Sequence, residues 1–288
     1  MASGTIRTNL ELEYLFCPGE GQVVPDTSIN LFHGVLGLTS AVEPYGVGSP
    51  TADVVYDPTW VSNGVDLDSV AADYNSTVVR APDDAMLLTD EWTDITMEVW
   101  FQPALPTLLF GFLVGLGNNG VALSTDDVVI YYHKDAFGRV EFDELDLTAG
   151  NLPPAGTWTH WIVTRTANDI NWFINGALAQ TKSLALDRFG NPHVANSKIA
   201  MYNDFPRPTA PSVREEREHW RLFGSLADGG TDANIRLESG YNGRIGELRI
   251  YSAALDATQA LFNFNASNYY PDGKNSCGIG PASRYYAM

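Results

Sequence analysis

Strand-length runs cut at close intervals by Gly, Pro and Asn recur through this chain, and a helical period is almost never sustained. Leu10-Glu11-Leu12-Glu13-Tyr14-Leu15-Phe16 sets Leu10, Leu12 and Tyr14 on one face of a half-buried strand and stops at Cys17-Pro18-Gly19. Ile95 to Phe101 ends at Gln102-Pro103, and Val128 to His133 and Val140 to Asp143 flank the turn Asp135-Ala136-Phe137-Gly138. Thr159 to Arg165 precedes Ile170 to Ile174, which is closed by Asn175-Gly176, the strongest short hairpin signal, with Leu178 to Thr181 returning. Ile245 to Tyr251 is the last clear strand. The apolar run Leu108 to Leu116 is far short of the ~20 residues of a spanning helix and reads as a buried strand. Helix is expected in two short pieces, Leu255 to Asn263 with Asp256 as N-cap and Ser212 to Trp220 after the breaker-rich Phe205 to Pro211. Many short strands joined by turns specify an all-β antiparallel sandwich rather than an α/β enzyme.

A chain of 288 residues with 44% hydrophobic and 18% charged residues can bury a core, which excludes wholesale disorder. Its formal net charge of -18 argues against nucleic acid and anionic membrane partners, whose affinity comes from Lys and Arg. The acid is uneven. Residues 1–133 carry 2 bases against 18 acids, a net of −16, whereas the remainder has 15 bases against 17 acids. The first part is expected to be solvated surface and the second to hold partners. Met1 to Arg7 leads to Glu11 and Glu13 rather than to an apolar stretch, so no secretory signal peptide is read. Cys17 and Cys277 leave a single clamp and two free thiols equally open.

Several segments, in order, resemble the laminin-G-like branch of the concanavalin A-like lectin/glucanase jelly rolls. Asp26-Thr27-Ser28-Ile29-Asn30-Leu31-Phe32-His33-Gly34 is similar to the early D-x-S-G-x-x-x-x-G loop, and Met97 to Pro103 to the E-A-W-x-x-P strand. Gly156 to Thr164 with Trp172 to Gly176 resembles the G-x-W-x-H-V-A-V-T and Y-V-N-G hairpin. Tyr241 to Leu255 resembles the closing F-x-G-x-I-D-E-V-R-I-Y-x-x-A-L strand, with Gly246 where the family usually has Asp. The resemblance implies an N-terminal arm (1–9), a laminin-G-like jelly roll (10–267) with an insertion at about 203–219, and a C-terminal tail (268–288). Trp100, Trp158 and Trp172 are expected in the core, and His160 is expected to be hydrogen-bonded in place rather than catalytic.

Two chemistries follow from the resemblance and are each set against a plainer reading. A structural calcium ion would take oxygen from Asp26 and Asn30 with Ser28 or backbone carbonyls; otherwise Asp26 makes an Asx-type turn. No other cofactor is required. Glu141-Phe142-Asp143-Glu144-Leu145-Asp146 echoes the E-x-D-x-x-E strand of retaining β-glucanases, with Glu141, Asp143 and Asp146 as the carboxylates. That chemistry needs two carboxyls ~5 Å apart on one face, and hence a bulge after the Asp. The plainer alternative is a charged strand edge that resists aggregation, and a non-enzyme is the expectation. The five histidines show no paired metal spacing, and Gly117-Asn118-Asn119-Gly120 lacks the Lys and helix of a phosphate loop.

For partners, Arg207, Arg214, Arg217 and Arg221 put 4 of the 17 bases in one stretch beside Trp220, the composition of an interface anchor. The tail carries Tyr285 and Tyr286 as further contact candidates. The sequence leads to a non-enzymatic structural or decoration protein of a virion surface, contacting identical subunits or other virion proteins and with glycan binding by the jelly roll. No nucleic acid partner and no membrane insertion are expected. A carbohydrate-binding module of a cell-surface or secreted system is the alternative, and a β-glucanase the third reading.

Overall fold

The computed structural model describes residues 5–16, 23–36, 59–61, 64–67, 79–80, 94–104, 110–116, 119–124, 128–134, 140–146, 153–166, 168–183, 221–222, 224–227, 236–240 and 243–267. In chain order the strands are β1 (Leu10–Leu15), β2 (Val23–Val24), β3 (Gly34–Leu36), β4 (Thr59–Val61), β5 (Gly64–Leu67), β6 (Val79–Arg80), β7 (Ile95–Pro103), β8 (Phe110–Leu116) and β9 (Asn119–Ser124). They continue with β10 (Val128–Lys134), β11 (Val140–Asp146), β12 (Thr159–Arg165), β13 (Asp169–Ile174), β14 (Ala177–Ser183), β15 (Arg221–Leu222), β16 (Gly224–Ala227), β17 (Arg236–Gly240) and β18 (Gly243–Tyr251), and the helix α1 (Ala257–Ala266) follows.

These strands form the two layers of a concanavalin A-like sandwich, as expected from the sequence. One sheet runs β14-β13-β12-β7-β18-β5-β4, with β1 also on β18; the other runs β11-β10-β9-β8-β15-β6-β3-β2, and β16 pairs with β17 separately. Every named pairing is antiparallel, so strand twist and short turns suffice to connect neighbours. The Asn175-Gly176 turn behaves as its chemistry dictates. Both residues have positive φ, 49° and 77°, the type I′ requirement, and Ile174 pairs directly with Ala177.

Register assigns the faces of the first sheet. Met97, Val99 and Phe101 of β7 stand beside Ile250, Leu248 and Ile245 of β18, and Leu12 and Tyr14 of β1 continue the row. Trp161 and Val163 of β12 extend it toward Trp172 and Ile174 of β13. This is the apolar core row, in which Phe101 and Trp161 meet edge to face at 4.8 Å. The opposite parity carries Thr96, Glu98 and Trp100 of β7, Glu247, Arg249 and Tyr251 of β18, and His160, Ile162 and Thr164 of β12. Alternation alone would give that face to water, yet all nine residues are buried.

The covering elements are α1 and the segment 5–9. Asp256 caps α1 through a complete capping box, its side chain accepting from the Gln259 N–H and the Gln259 side chain accepting from the Asp256 N–H. The helix runs three residues past the expected Asn263, ending at Ala266 before Ser267. Ala260 packs on Ile162 and Phe173, and Phe264 lies near-parallel to Trp100. Thr96 ties the approach to the helix, donating to Ala253 O and accepting from Leu255 N–H. Ile6 packs on Leu10, Tyr251 and Leu255. The expected N-terminal arm is therefore fastened from Thr5 onward to its own domain.

Candidate functional site

The covered face encloses a cluster of buried charged side chains. Period-2 alternation puts Glu13 on β1, Glu98 on β7 and both Glu247 and Arg249 on β18 on one face, Arg249 directly opposite Glu13 on one side and Glu98 on the other. The Arg249 guanidinium donates through Nε to Glu13 Oε1 at 2.8 Å, through Nη1 to Glu98 Oε1 at 2.8 Å and through Nη2 to Glu247 Oε2 at 2.6 Å. All four side chains are at most 1% exposed. Further donors close on the carboxylates. Glu98 Oε2 accepts from Asn263 Nδ2 at 2.7 Å and from the Tyr251 hydroxyl at 3.2 Å, and Glu247 Oε2 accepts from Ser267 Oγ at 3.2 Å. Glu13 Oε2 accepts from Thr27 Oγ1 at 2.5 Å and from Arg7. His160 Nε2 lies 3.0 Å from Glu98 Oε1, with its ring stacked on Trp100, so it is held in place as the sequence led us to expect.

Burial would raise the carboxylic acids, but the adjacent guanidinium and the converging donors outweigh it. Glu98 is held at about 2, with Arg249 and then His160 as the counterweights. Glu13 is lowered by Arg249, Thr27 and Arg7 against the same desolvation. Arg249 is pushed well above its ordinary value although burial opposes it, because Glu247 and Glu98 stabilise its charge. Burial and the Glu98 charge drive the Tyr251 phenol far up, so it keeps its proton, donating to Glu98 and accepting from Asn263 Nδ2. A general acid needs a pKa near working pH and access to substrate. This cluster offers neither: Glu13 and Glu98 are held ionised, and all three carboxylates are paired and closed off. Its chemistry is cohesion, joining β1, β7, β18, α1 and residues 5–9.

Sequence inspection had not singled out Glu13, Glu98, Glu247 or Arg249. The available signal was parity. Trp100 and Tyr251 share the face of Glu98 and Arg249, and large aromatics at the polar positions of a strand mark a face that something covers. Trp100 and Trp172 are buried as expected; Trp158 is only half-buried.

Among the expected site residues, Asp26 is 2% exposed and accepts four hydrogen bonds. Its Oδ1 takes the N–H groups of Glu13 and Ser28, at 2.9 and 2.8 Å, and its Oδ2 takes Ser28 Oγ and the Phe32 N–H, both at 2.7 Å. Asn30 turns its Nδ2 donor toward Glu11, 2.9 Å from both the backbone oxygen and Oε2. Donors thus face the carboxylate where a cation would need open lone pairs, the arrangement of an Asx-type turn. No group of three or more His, Cys, Asp or Glu able to hold a metal occurs among the described residues.

Glu141, Asp143 and Asp146 lie on β11, the edge strand of the second sheet. Pairing with β10 runs in uninterrupted register from Lys134↔Val140 to Val128↔Asp146. The bulge required to return Asp146 to the parity of Glu141 is not there, so this strand does not meet the geometric condition of the β-glucanase reading. Arg221 belongs to β15, its backbone opposite Arg80 and Gly115. Arg207, Arg214, Arg217, Trp220, Tyr285 and Tyr286, the expected helix at 212–220 and both cysteines lie outside the described residues.

Residues 73–205 match the family model of the concanavalin A-like lectin/glucanases superfamily. No curated protein matches the chain. Among solved structures, the binding domain of Paraclostridial Mosquitocidal Protein 1 is 18% identical with a TM-score of 0.50, the match covering 90% of this chain and 52% of that one. The binding domain of botulinum neurotoxin DC in complex with SialylT is 10% identical with a TM-score of 0.55, covering 91% and 52%. A botulinum neurotoxin type C structure, whose cell entry depends on two ganglioside molecules, is 11% identical with a TM-score of 0.53, covering 90% and 51%. The chain therefore spans about half the length of these binding domains, and at such identity the likeness is one of fold. Residues 73–205 thus resemble the concanavalin A-like lectin/glucanases superfamily, and the sandwich built around them has a concanavalin A-like fold.

Proposed function

We propose that this chain is a non-catalytic, lectin-like binding module whose jelly roll recognises glycans on a host or particle surface. The observation that carries the reading is the superposition of about nine-tenths of the chain on one half of toxin binding domains, one of them seen with SialylT and another tied to gangliosides. Two features of the site point the same way. Glu13 and Glu98 are held as ions against Arg249, and the carboxylate strand β11 lacks the required bulge. The finer setting is decoration of a virion surface, a role suited to a solvated acidic surface that resists non-specific contact.

A glycan array followed by titration calorimetry tests the binding function. Saturable binding to a defined glycan class is expected, and silence across an array rich in sialylated and ganglioside-type glycans overturns the reading. Cosedimentation with particles tests the setting separately, where a protein absent from every particle fraction would refute virion decoration.

A further inference from the structure

Three of the six large apolar side chains most exposed among the described residues fall in one hairpin, residues 23–36: Val23 at 53%, Ile29 at 89% and Leu31 at 62%. The loop that carries them is built from within. The backbone N–H groups of Asp26, Thr27, Ser28, Asn30, Phe32 and His33 all donate inside the protein, to His33 Nδ1, Glu13 O, Asp26 Oδ1, Ser28 Oγ, Asp26 Oδ2 and Leu31 O respectively. The carbonyls of Thr27 and Phe32 accept from Arg7 and from the Tyr14 hydroxyl. The one carboxylate in the hairpin, Asp26, is buried at the centre of this scaffold.

Leu31 adds a second sign. Its φ is 57°, in the left-handed region that a residue bearing a Cβ enters at a cost and glycine enters freely. The chain thus holds a strained aliphatic residue outward in water, beside an Ile where the resembled motif has Gly. Strain kept at an exposed position points to use of the side chain.

A loop that satisfies six of its backbone N–H groups internally and shows aliphatic side chains suits a medium that offers few hydrogen bonds in return. Two convex side chains are far too little area for a stable protein interface of ~800 Å² per partner. They are enough for shallow, reversible contact with the headgroup–acyl boundary of a bilayer. Charge selects the lipid. Residues 1–133 carry a net of −16, which anionic headgroups would repel. We propose that Ile29 and Leu31 form a peripheral membrane-contact tip for neutral or zwitterionic lipid. The contact is made by a loop, in keeping with the absence of any described helix long and apolar enough to cross a membrane. It does not depend on the glycan reading.

The experiment is flotation of the whole protein with phosphatidylcholine vesicles, with and without about one quarter phosphatidylserine. Binding to phosphatidylcholine is expected, with weaker binding when phosphatidylserine is present. Ile29→Ser and Leu31→Gly should each lower the partition coefficient by about tenfold, from the loss of one buried aliphatic side chain. Leu31→Gly also relieves the left-handed backbone, so its unfolding midpoint should hold or rise, which separates lost contact from lost fold. No flotation on phosphatidylcholine overturns the proposal; unchanged flotation of both variants, or tighter binding with phosphatidylserine, overturns it equally.

Discussion

Replacing Arg249 by Met is the sharpest perturbation this structure offers. It removes one guanidinium from three buried carboxylates at 2.6 to 2.8 Å and leaves them with Arg7, itself 44% exposed, and with His160 beside Glu98. Breaking a buried pair by deleting one partner costs about 3–5 kcal/mol. Against a total stability of about 5–15 kcal/mol that is a large share, equivalent to a fall of roughly 6–20 °C in Tm for a domain of this size. The pH dependence gives the more diagnostic signature. In the native protein Glu98 is depressed from 4.5 to about 2 and Glu13 is lowered too. Their contribution is therefore present above pH 4.5 and is lost as pH falls through the folded value, near 2 for Glu98. Without Arg249 the largest counterweight to burial is gone, so desolvation shifts these acids upward from their native values. The variant's folded state then takes up protons before the native protein's does, and its deficit shrinks as pH falls from 7.5 toward 5. Urea unfolding followed by tryptophan fluorescence at both pH values measures this. Equal midpoints for the two proteins at pH 7.5, or a deficit that stays constant between the two pH values, would refute the account of the cluster.

Other outcomes test separate parts of the structure. Gly64→Ala should lower stability by about 2–3 kcal/mol, because the added Cβ would lie 2.3 Å from the Ile245 carbonyl oxygen, a backbone atom that cannot step aside; a chemical-denaturation midpoint reads it. Gly176→Ala meets Phe264 at 3.0 Å and demands a left-handed alanine at φ 77°, so a loss of about 1–2 kcal/mol is expected in the same assay. Asp26→Ala strands the N–H groups of Glu13, Ser28 and Phe32 and should cost about 2–4 kcal/mol, opening residues 27–33 to limited proteolysis. Chelation with EDTA should leave Tm unchanged, since donors face both Asp26 oxygens; a fall reversed by calcium would place an ion in that loop.

How much of this was legible depended on whether the deciding interaction was local. The Asn175-Gly176 turn and the Asp256 cap involve neighbours in the chain, and both stand where their chemistry put them. Strand centres were visible too, although β7 and β11 run past the ends read from sequence, to Pro103 and Asp146, because pairing partners rather than propensity fix where a ladder stops. Glu13 illustrates the harder case. In Leu10-Glu11-Leu12-Glu13-Tyr14 it is the polar half of an alternation, which ordinarily faces water. Its burial is caused by Arg249, 236 positions away, and by a helix and an arm that no local window contains. The buried salt-bridge cluster was therefore present in the composition of the strands and absent from their periodicity.

The fastening of residue 6 to residue 263 also determines how the module can be wired. The Ile6 N–H donates to Asn263 Oδ1 at 2.8 Å, and the Tyr251 hydroxyl reaches the Ile6 carbonyl at 3.3 Å. The first and last described segments thus lie side by side, so the described sandwich could be carried as an insert within a host polypeptide with little separation of the host's cut ends. A short linker joining residues 5 and 267, with new termini opened in the exposed turn at residues 154–157, would keep every strand neighbour and change only the order in which they are made.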